Sequence, residues 1–189
     1  MDTLITWTAQ YLLWVMVLAF AVIWDLLESR RGKIELGMQA VVGLALAMML
    51  MYIAKSVHHD PRPFVADPGV RPLFGHSRDD GFPSDHSVAA ALIAALIVVR
   101  HRILGLVLAV AAVAIAWARV AAHVHHLQDV VAGLLLGGIA AAIAIAVARL
   151  VLARLAHRSD RLDRLLIGSR RTSRVEGRRQ LRADRQFEN

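Results

Sequence analysis

The sequence predicts an all-α membrane protein, a multi-pass bundle of about five transmembrane helices in one domain. Hydrophobic residues make up 57% of the 189 residues, above the share of about 45–50% that is usual in soluble domains. They are concentrated in long apolar runs, and a membrane-spanning helix needs about 20 such residues. No polar linker divides the runs, and the polar clusters lie where a run begins or ends.

The first two runs cover residues 4–27 and 36–54, and a short loop with Arg30, Arg31 and Lys33 connects them. Cytoplasmic loops of membrane proteins carry an excess of Lys and Arg. We therefore expect this loop on the cytoplasmic side and the N-terminus on the outer side.

The segment that follows, residues 55–86, is rich in proline and glycine and carries several charges. It shows no helical apolar stripe, which is typical of an ordered surface loop. The third run, residues 87–99, is short for a span. A helix that begins near Ser84 would lengthen it and would bring Asp85 and His86 into the first turn.

A second basic turn, Arg100 to Arg102, precedes the fourth run, residues 103–122, and the fifth run covers residues 130–151. The charge bias again places this turn and the C-terminus inside. The small residues that are dense in the last two runs favour close helix packing in lipid. We assign them to bundle assembly, and a homo-oligomer remains possible.

The predicted domains are a membrane domain over residues 1–152 and a basic cytoplasmic tail over residues 153–189. Half of the Lys and Arg residues lie after Arg149, so the net charge of +7 belongs largely to the tail. Such a tail suits anionic lipid head groups, and we expect membrane lipids rather than nucleic acid as its partner. The absence of cysteine excludes a disulfide framework and a thiol nucleophile.

Three polar clusters, at residues 55–63, 83–86 and 118–129, lie on the predicted outer side, and we expect them to form one site. Ionisable residues beside membrane spans indicate function by default. Lys55, Arg62 and Arg119 are cations with few carboxylates nearby, and a phosphate group would neutralise them. The alternative is that they are interfacial residues whose charged ends reach water.

The helix start at Ser84 and Asp85 has the composition of an N-cap, and a helix N-terminus also binds anions. Ser84 could cap the helix, bind a phosphate oxygen, or do both. His86 could be only a polar residue at a helix start, or it could protonate a leaving oxygen, because its ordinary pKa lies near neutrality.

His125 and Asp129 are four residues apart, so on one helical face they can hydrogen-bond. A carboxylate on one ring nitrogen fixes the tautomer and leaves the other nitrogen available for nucleophilic attack. Attack on phosphorus would give a phosphohistidine, while the neighbouring cations stabilise the charge on the transferred group.

Together these clusters resemble the three signature motifs of the type 2 phosphatidic acid phosphatase superfamily. The matching residues are Lys55 with Arg62-Pro63, then Pro83-Ser84-Asp85-His86, then Arg119 with His125 and Asp129. The resemblance spans residues 55–129 and, with the flanking apolar runs, most of the chain except the tail. Two positions depart from the usual pattern: Ala118 stands where Ser is frequent, and Asp85 where Gly is frequent.

The resemblance implies the core fold of that superfamily, no metal or other cofactor, and a role for each matching residue. By resemblance, His125 is the nucleophile, Asp129 its partner and His86 the general acid. The substrate phosphate-binding residues would be Lys55, Arg62, Ser84, Asp85 and Arg119. The form of the second motif is most like that of bacterial undecaprenyl-diphosphate phosphatases, which implies a polyprenyl diphosphate substrate at the outer face of the bacterial plasma membrane.

Three alternatives remain at this stage. Within the family, the substrate could be phosphatidic acid or phosphatidylglycerophosphate. A divalent metal site could use two loops that are rich in ligands, although the neighbouring cations would repel the ion. The candidate ligands are His58, His59 and Asp60 in one loop and His123, His125, His126 and Asp129 in the other. A transporter or scaffold is the alternative outside enzymes.

Overall fold

In the computed structural model, which describes residues 1–155, the protein is almost entirely helical. The helices are α1 (Asp2–Val22, continued by a π-helical turn at Ile23–Leu27), α2 (Arg30–Val57), the short α3 (Pro63–Ala66), α4 (Asp85–Val98), α5 (Arg102–Ala121) and α6 (Leu127–Leu155). Met1–Ala148 form one compact unit, and every contact discussed below lies within it. The predicted tail lies outside the described residues from residue 156 onward.

The all-α membrane fold is confirmed, and within residues 1–155 four helices have the length that crosses a bilayer, while a fifth apolar helix, α4, is shorter. Helix α1 with its π-helical turn, α2, α5 and α6 have the length and hydropathy of spans. Helix α4 has 14 residues, a rise of about 21 Å against a hydrocarbon core of about 30 Å. Its start is fixed by the polar site rather than by bilayer thickness, because the Ser84 N–H donates to the Asp129 carbonyl at 3.0 Å.

Large apolar side chains cover the outside of the bundle. Trp14 and Leu18 on α1, Val110 on α5 and Leu135 on α6 are each more than 60% exposed. A soluble protein rarely exposes a continuous apolar surface of this kind. These faces are therefore the surface that contacts lipid.

Helix α4 lies at the centre of the bundle and is apolar on all sides, as expected for a fully packed helix. Gly105 on α5 and Gly137 on α6 let their helices approach it closely. A Cβ atom at either position would overlap the α4 backbone, at Val98 or at Val88. The prediction that small residues serve helix packing is confirmed at these positions.

The end of the bundle where α2 and α5 begin holds a cluster of ion pairs, which we call the Glu28–Arg100 cluster (Glu28, Glu35, Arg100 and His101). Arg100 contacts Glu28 at 3.3 Å and Glu35 at 3.2 Å, and His101 contacts Glu28 at 3.3 Å. The two predicted cytoplasmic turns therefore meet at one end. The three polar clusters meet at the other.

Candidate active site

The centre of the polar end is the ring of His125. Its Nε2 atom lies 3.1 Å from an NH1 nitrogen of Arg62 and 3.2 Å from an NH2 nitrogen of Arg119. All three residues are at most 5% exposed. Arg62 stands at the N-cap of α3, Arg119 in the last turn of α5, and His125 in the connection between α5 and α6. The structure thus brings the first and third predicted motifs onto one ring nitrogen.

These contacts define the state of the His125 ring. A guanidinium group has donors only, so the Nε2 atom must carry a lone pair. The Nδ1 atom then holds the proton and donates to Asp129 Oδ2 at 3.3 Å. Burial lowers the pKa of His125, the two arginines lower it further, and Asp129 acts in the opposite direction. His125 is therefore a neutral imidazole whose lone pair faces the cations.

The chain reversal before α6 holds this arrangement in place. His123 adopts a left-handed backbone conformation with φ of 58°, which histidine tolerates better than most residues. The Val124 carbonyl accepts from Arg62 NH1 at 2.9 Å. The His126 N–H donates to Asp129 Oδ2 at 2.8 Å. Main-chain bonds thus fix both the nucleophile candidate and the carboxylate behind it.

The second motif lies beside this pair. Ser84 is the N-cap residue of α4, but its side chain makes no capping bond. Its Oγ atom is fully buried and has no partner among the described residues. His86, in the first turn, is half-buried, and burial and then the positive charge of Arg119 lower its pKa to about 4, below the ordinary value on which the sequence prediction relied. Because its Oγ atom has no partner among the described residues, Ser84 retains a donor for a ligand.

Lys55 and Asp85 lie at the exposed rim of the site. Lys55 Nζ contacts Asp85 Oδ1 at 3.3 Å, and their side chains are 44% and 64% exposed. An ionised carboxylate only accepts hydrogen bonds, so Asp85 cannot donate to a phosphate oxygen. We propose that Asp85 orients Lys55 instead of binding phosphate directly.

Sequence reasoning missed His76 in the loop between α3 and α4. Its Nε2 atom lies 2.8 Å from Arg119 NH2, and its ring stands nearly perpendicular to that of His125 at 6.2 Å between centroids. Burial and then the charges of Arg62 and Arg119 lower the pKa of His76 to about 4. Proline- and glycine-rich loops have no periodicity that would place a single residue. The only sequence signal was a histidine in a loop next to two motifs.

Asp79 was missed for the same reason. Its Oδ1 atom accepts from Arg62 Nε at 3.0 Å and from Ser77 Oγ at 2.6 Å. Burial opposes these bonds, yet the bonds from Ser77 and Arg62 lower the pKa of Asp79 to about 2. Asp79 is therefore an ionised partner that orients Arg62 from the exposed side.

A third missed residue, Asp60, supports the turn before α6. Its carboxylate accepts from His126 Nδ1 at 3.0 Å and from the Gln128 amide. Asp60, His126 and Asp129 each offer a ligand atom within 4.8 Å of the others, so these residues could hold a metal ion. Asp60 and His126 also line an open cavity of about 610 Å³. The other predicted metal candidates, His58, His59, His123 and His125, are not part of this group.

The arrangement suits a tetrahedral anion. Buried polar atoms are normally hydrogen-bonded, yet Ser84 Oγ and Arg119 Nε have no partner within residues 1–155. Arg119 forms no ion pair there either, since its contacts are His76, His125 and the Ala9 carbonyl. Donors and uncompensated positive charge therefore surround a neutral imidazole nitrogen.

Comparison with known proteins agrees with this geometry. The model of the PAP2 superfamily matches residues 36–152. The chain is 33% identical over 138 residues to the putative undecaprenyl-diphosphatase YbjG of Escherichia coli (strain K12), which covers 72% of this chain and 68% of the relative. It is 31% identical over 141 residues to the bacitracin transport permease protein BcrC of Bacillus licheniformis, covering 75% and 68%.

Among solved structures, the chain is similar to that of Aquifex aeolicus LpxE. The TM-score is 0.62 at 26% sequence identity, and the match covers 77% of this chain and 85% of the other. The similarity extends beyond the motifs to the helix bundle that positions them.

Proposed function

Because the chain belongs to the PAP2 superfamily, and is thus a membrane phosphatase, we propose that it hydrolyses undecaprenyl diphosphate, or a closely related polyprenyl diphosphate, to the monophosphate. The observation that carries the chemistry is the meeting of Arg62 and Arg119 on the His125 Nε2 atom, at 3.1 and 3.2 Å. A phosphoryl group that approaches this nitrogen is met by donors on both sides.

The reaction has two steps. His125 Nε2 attacks the terminal phosphorus, and the bond from phosphorus to the leaving oxygen breaks as the phosphorus–nitrogen bond forms. His86, which takes up a proton in the substrate complex because the bound phosphate anion raises its pKa, donates the proton that the leaving oxygen takes up. Water then attacks the phosphohistidine with His86 as the base, which releases inorganic phosphate and restores the ring.

Electrostatics supply most of the stabilisation in such a transfer, because charge spreads over the equatorial oxygens of the phosphoryl group. Arg62, Arg119 and Ser84 provide buried donors for these oxygens. Lys55 at the rim is placed to meet the second phosphate of a diphosphate. Asp129 holds the imidazole tautomer and stabilises the positive charge that develops on the ring.

Two observations favour a polyprenyl diphosphate as the substrate: the name of a relative and the residues of the second motif. A relative that covers most of the chain is named a putative undecaprenyl-diphosphatase. Phe82-Pro83-Ser84-Asp85-His86 is also the form of the second motif that resembles this group. Phosphatidic acid and phosphatidylglycerophosphate are the alternative substrates.

The same proposal places the site at the outer face of the bacterial plasma membrane. Arg30, Arg31, Lys33, Arg100 and Arg102 lie in the two turns at the opposite end of the bundle. Cytoplasmic loops carry such an excess of basic residues. The polar end then faces outward.

The substrate test is a side-by-side assay of phosphate release from undecaprenyl diphosphate, phosphatidic acid and phosphatidylglycerophosphate, with the full chain in one detergent. We expect the highest kcat/KM for the diphosphate, because only in the diphosphate is a second phosphate joined directly to the terminal one, where Lys55 can reach it. Lys55→Gln should lower the preference for the diphosphate, while Lys33→Gln at the opposite end serves as control. Equal or better hydrolysis of a glycerolipid by the wild-type protein would contradict the substrate assignment.

The metal alternative is favoured by the Asp60, His126 and Asp129 group. It predicts that chelation abolishes activity and that a metal ion restores it. We expect instead that activity survives dialysis against EDTA unchanged, because the cations at His125 already supply the electrostatic stabilisation that a metal would provide. Metal content of the dialysed protein should be measured in the same sample. Loss of all activity that only added metal restores would reject the metal-free mechanism.

A further inference from the structure

His76 lies over the site on an anchored loop. The Leu73 N–H donates to the Ala122 carbonyl at 3.2 Å. Leu73 and Phe74 pack against a buried apolar cluster that contains Ala118, Ala122 and Val124. The Arg119 guanidinium lies 5.8 Å from the centre of the Phe74 ring. The packing of Leu73 and Phe74, just before His76 in the loop, therefore holds His76 beside Arg119.

The hydrogen bonds of His76 define its protonation in the substrate-free protein. Its Nε2 atom faces Arg119 NH2 at 2.8 Å and must be an acceptor, since the arginine only donates. Its Nδ1 atom lies 3.2 Å from Ser77 Oγ. The Ser77 hydroxyl donates to Asp79 at 2.6 Å, so its oxygen is available to accept from Nδ1–H. The neutral ring thus connects Arg119 to the Ser77–Asp79 pair.

One guanidinium nitrogen serves two histidines. Arg119 NH2 lies 2.8 Å from His76 Nε2 and 3.2 Å from His125 Nε2. A phosphoryl oxygen that approaches His125 needs this same donor and therefore displaces the His76 lone pair from it. A neutral His76 would then direct a lone pair at an anion. Protonation at Nε2 removes this repulsion and adds a donor.

We propose that His76 is a phosphate-binding residue that takes up a proton when the phosphoryl group binds, and so adds a third, pH-dependent cation to Arg62 and Arg119. This inference rests on the proposed function in one respect only, namely that the site binds a phosphate group. Asp79 then balances the charges of Arg62 and of protonated His76. It accepts directly from Arg62 Nε at 3.0 Å, and it is connected to His76 through the Ser77 hydroxyl.

The charges around His76 give the direction of the pH effect. Arg62 and Arg119 face it with fixed positive charge, the titratable His125 and His86 lie nearby, and Asp79 acts through Ser77. Burial and the arginines hold the pKa of His76 at about 4 in the substrate-free protein. An opposite charge within about 4–6 Å raises the pKa of a histidine by roughly 1–3. Anion binding should therefore strengthen as pH falls from 8 to 6.

The test uses sulfate, a tetrahedral dianion that does not itself titrate near neutrality. Calorimetric titrations of the detergent-solubilised full chain in two buffers of different ionisation enthalpy give the number of protons taken up on binding. We expect His76→Gln to take up measurably fewer protons than the wild type at pH 6–7. The gain in sulfate affinity between pH 8 and pH 6 should be about tenfold smaller in this variant.

Two further variants make the test specific. Ser77→Ala removes the partner of Nδ1 and should reduce proton uptake while leaving the imidazole in place. His59→Gln is the matched control, because His59 is exposed and pairs with Asp80 outside the site. Thermal unfolding curves should first show that both proteins are folded. Equal proton uptake by the wild type and His76→Gln would then overturn the inference.

The readout separates this inference from the proposed function. Sulfate is not hydrolysed, so its binding does not depend on which lipid is the substrate or on the phosphohistidine step. A failed undecaprenyl diphosphate assay with normal proton uptake would reject the substrate alone. Hydrolysis of that substrate with unchanged proton uptake in His76→Gln would reject the role of His76 alone.

Discussion

The two ends of the bundle each contain an arginine that is largely removed from water, but in different electrostatic surroundings. Arg100 contacts the carboxylates of Glu28 and Glu35 at 3.3 and 3.2 Å. Arg119 contacts the ring nitrogens of His76 and His125 and forms no ion pair within the described residues. One end therefore balances its charge internally, and the other leaves positive charge for a ligand.

This difference separates a structural arginine from a binding one. Removing a charge from water costs free energy, which a partner carboxylate at Arg100 offsets. At Arg119 the hydrogen-bond partners among residues 1–155 are neutral acceptors, and buried cations of this kind occur often at functional sites. The charge balance, rather than burial alone, identifies the site.

The largest expected effect is at His125, the centre of the cationic end. His125→Ala should lower the rate of phosphate release from undecaprenyl diphosphate by about 10⁴-fold or more, because among residues 1–155 only the His125 ring contacts both Arg62 and Arg119. Single-turnover assays in detergent measure this rate of phosphate release. His101→Ala, at the opposite end, should leave turnover per folded molecule unchanged. Unaltered turnover of His125→Ala would remove the nucleophile assignment and would favour a non-enzymatic function such as transport.

The next effect compares the two arginines directly. Arg119→Lys keeps the charge but loses the fork of donors that reaches two acceptors at once. We expect kcat/KM to fall about 100-fold, the size typical of losing one aligned donor to a transition-state oxygen. Arg100→Lys should change kcat/KM by less than about twofold, because the Glu28–Arg100 cluster does not touch substrate. A similar loss of activity in both variants would show that the arginines act through the fold.

The smallest effect on activity, and the largest on stability, is expected for Arg100→Ala. It leaves Glu28, whose side chain is 9% exposed, with only His101 as a partner. We expect a loss of about 2–3 kcal/mol in unfolding free energy, less than for a fully buried pair. Arg119→Ala should be neutral or stabilising, because it relieves repulsion with Arg62. Thermal unfolding in detergent compares the two, and the reverse ranking would contradict the electrostatic contrast between the ends.

Local spacing made much of the site predictable from sequence. His125 and Asp129 are four residues apart, and the predicted bond between them is present at 3.3 Å. His125 nevertheless precedes α6 instead of sharing its face, because α6 begins at Leu127. Lys55, Arg62 and Arg119 were found because charge beside an apolar run is costly and therefore rare. The helical runs themselves were predictable because apolar length is set by bilayer thickness.

Other features could not be predicted because they depend on contacts between distant segments. The loop that carries His76 and Asp79 has no periodicity, and its position is set by Leu73 and Phe74 packing against the ends of other helices. The pairing of Asp85 with Lys55, 30 residues earlier, is a second contact of this kind, and it is the reason we propose an orienting role for Asp85 in place of the predicted phosphate contact.

By itself, the sequence determined the membrane bundle and the family and predicted the candidate reacting residues, because apolar length and short-range spacing are properties of the chain. Only the tertiary structure decided that α4, with 14 residues, connects the polar site to the Glu28–Arg100 cluster and that His76 joins the site. It also decided that one end of the bundle neutralises its arginine while the other does not. Charge balance depends on distances between segments far apart in the chain, and those distances are fixed only when the helices pack.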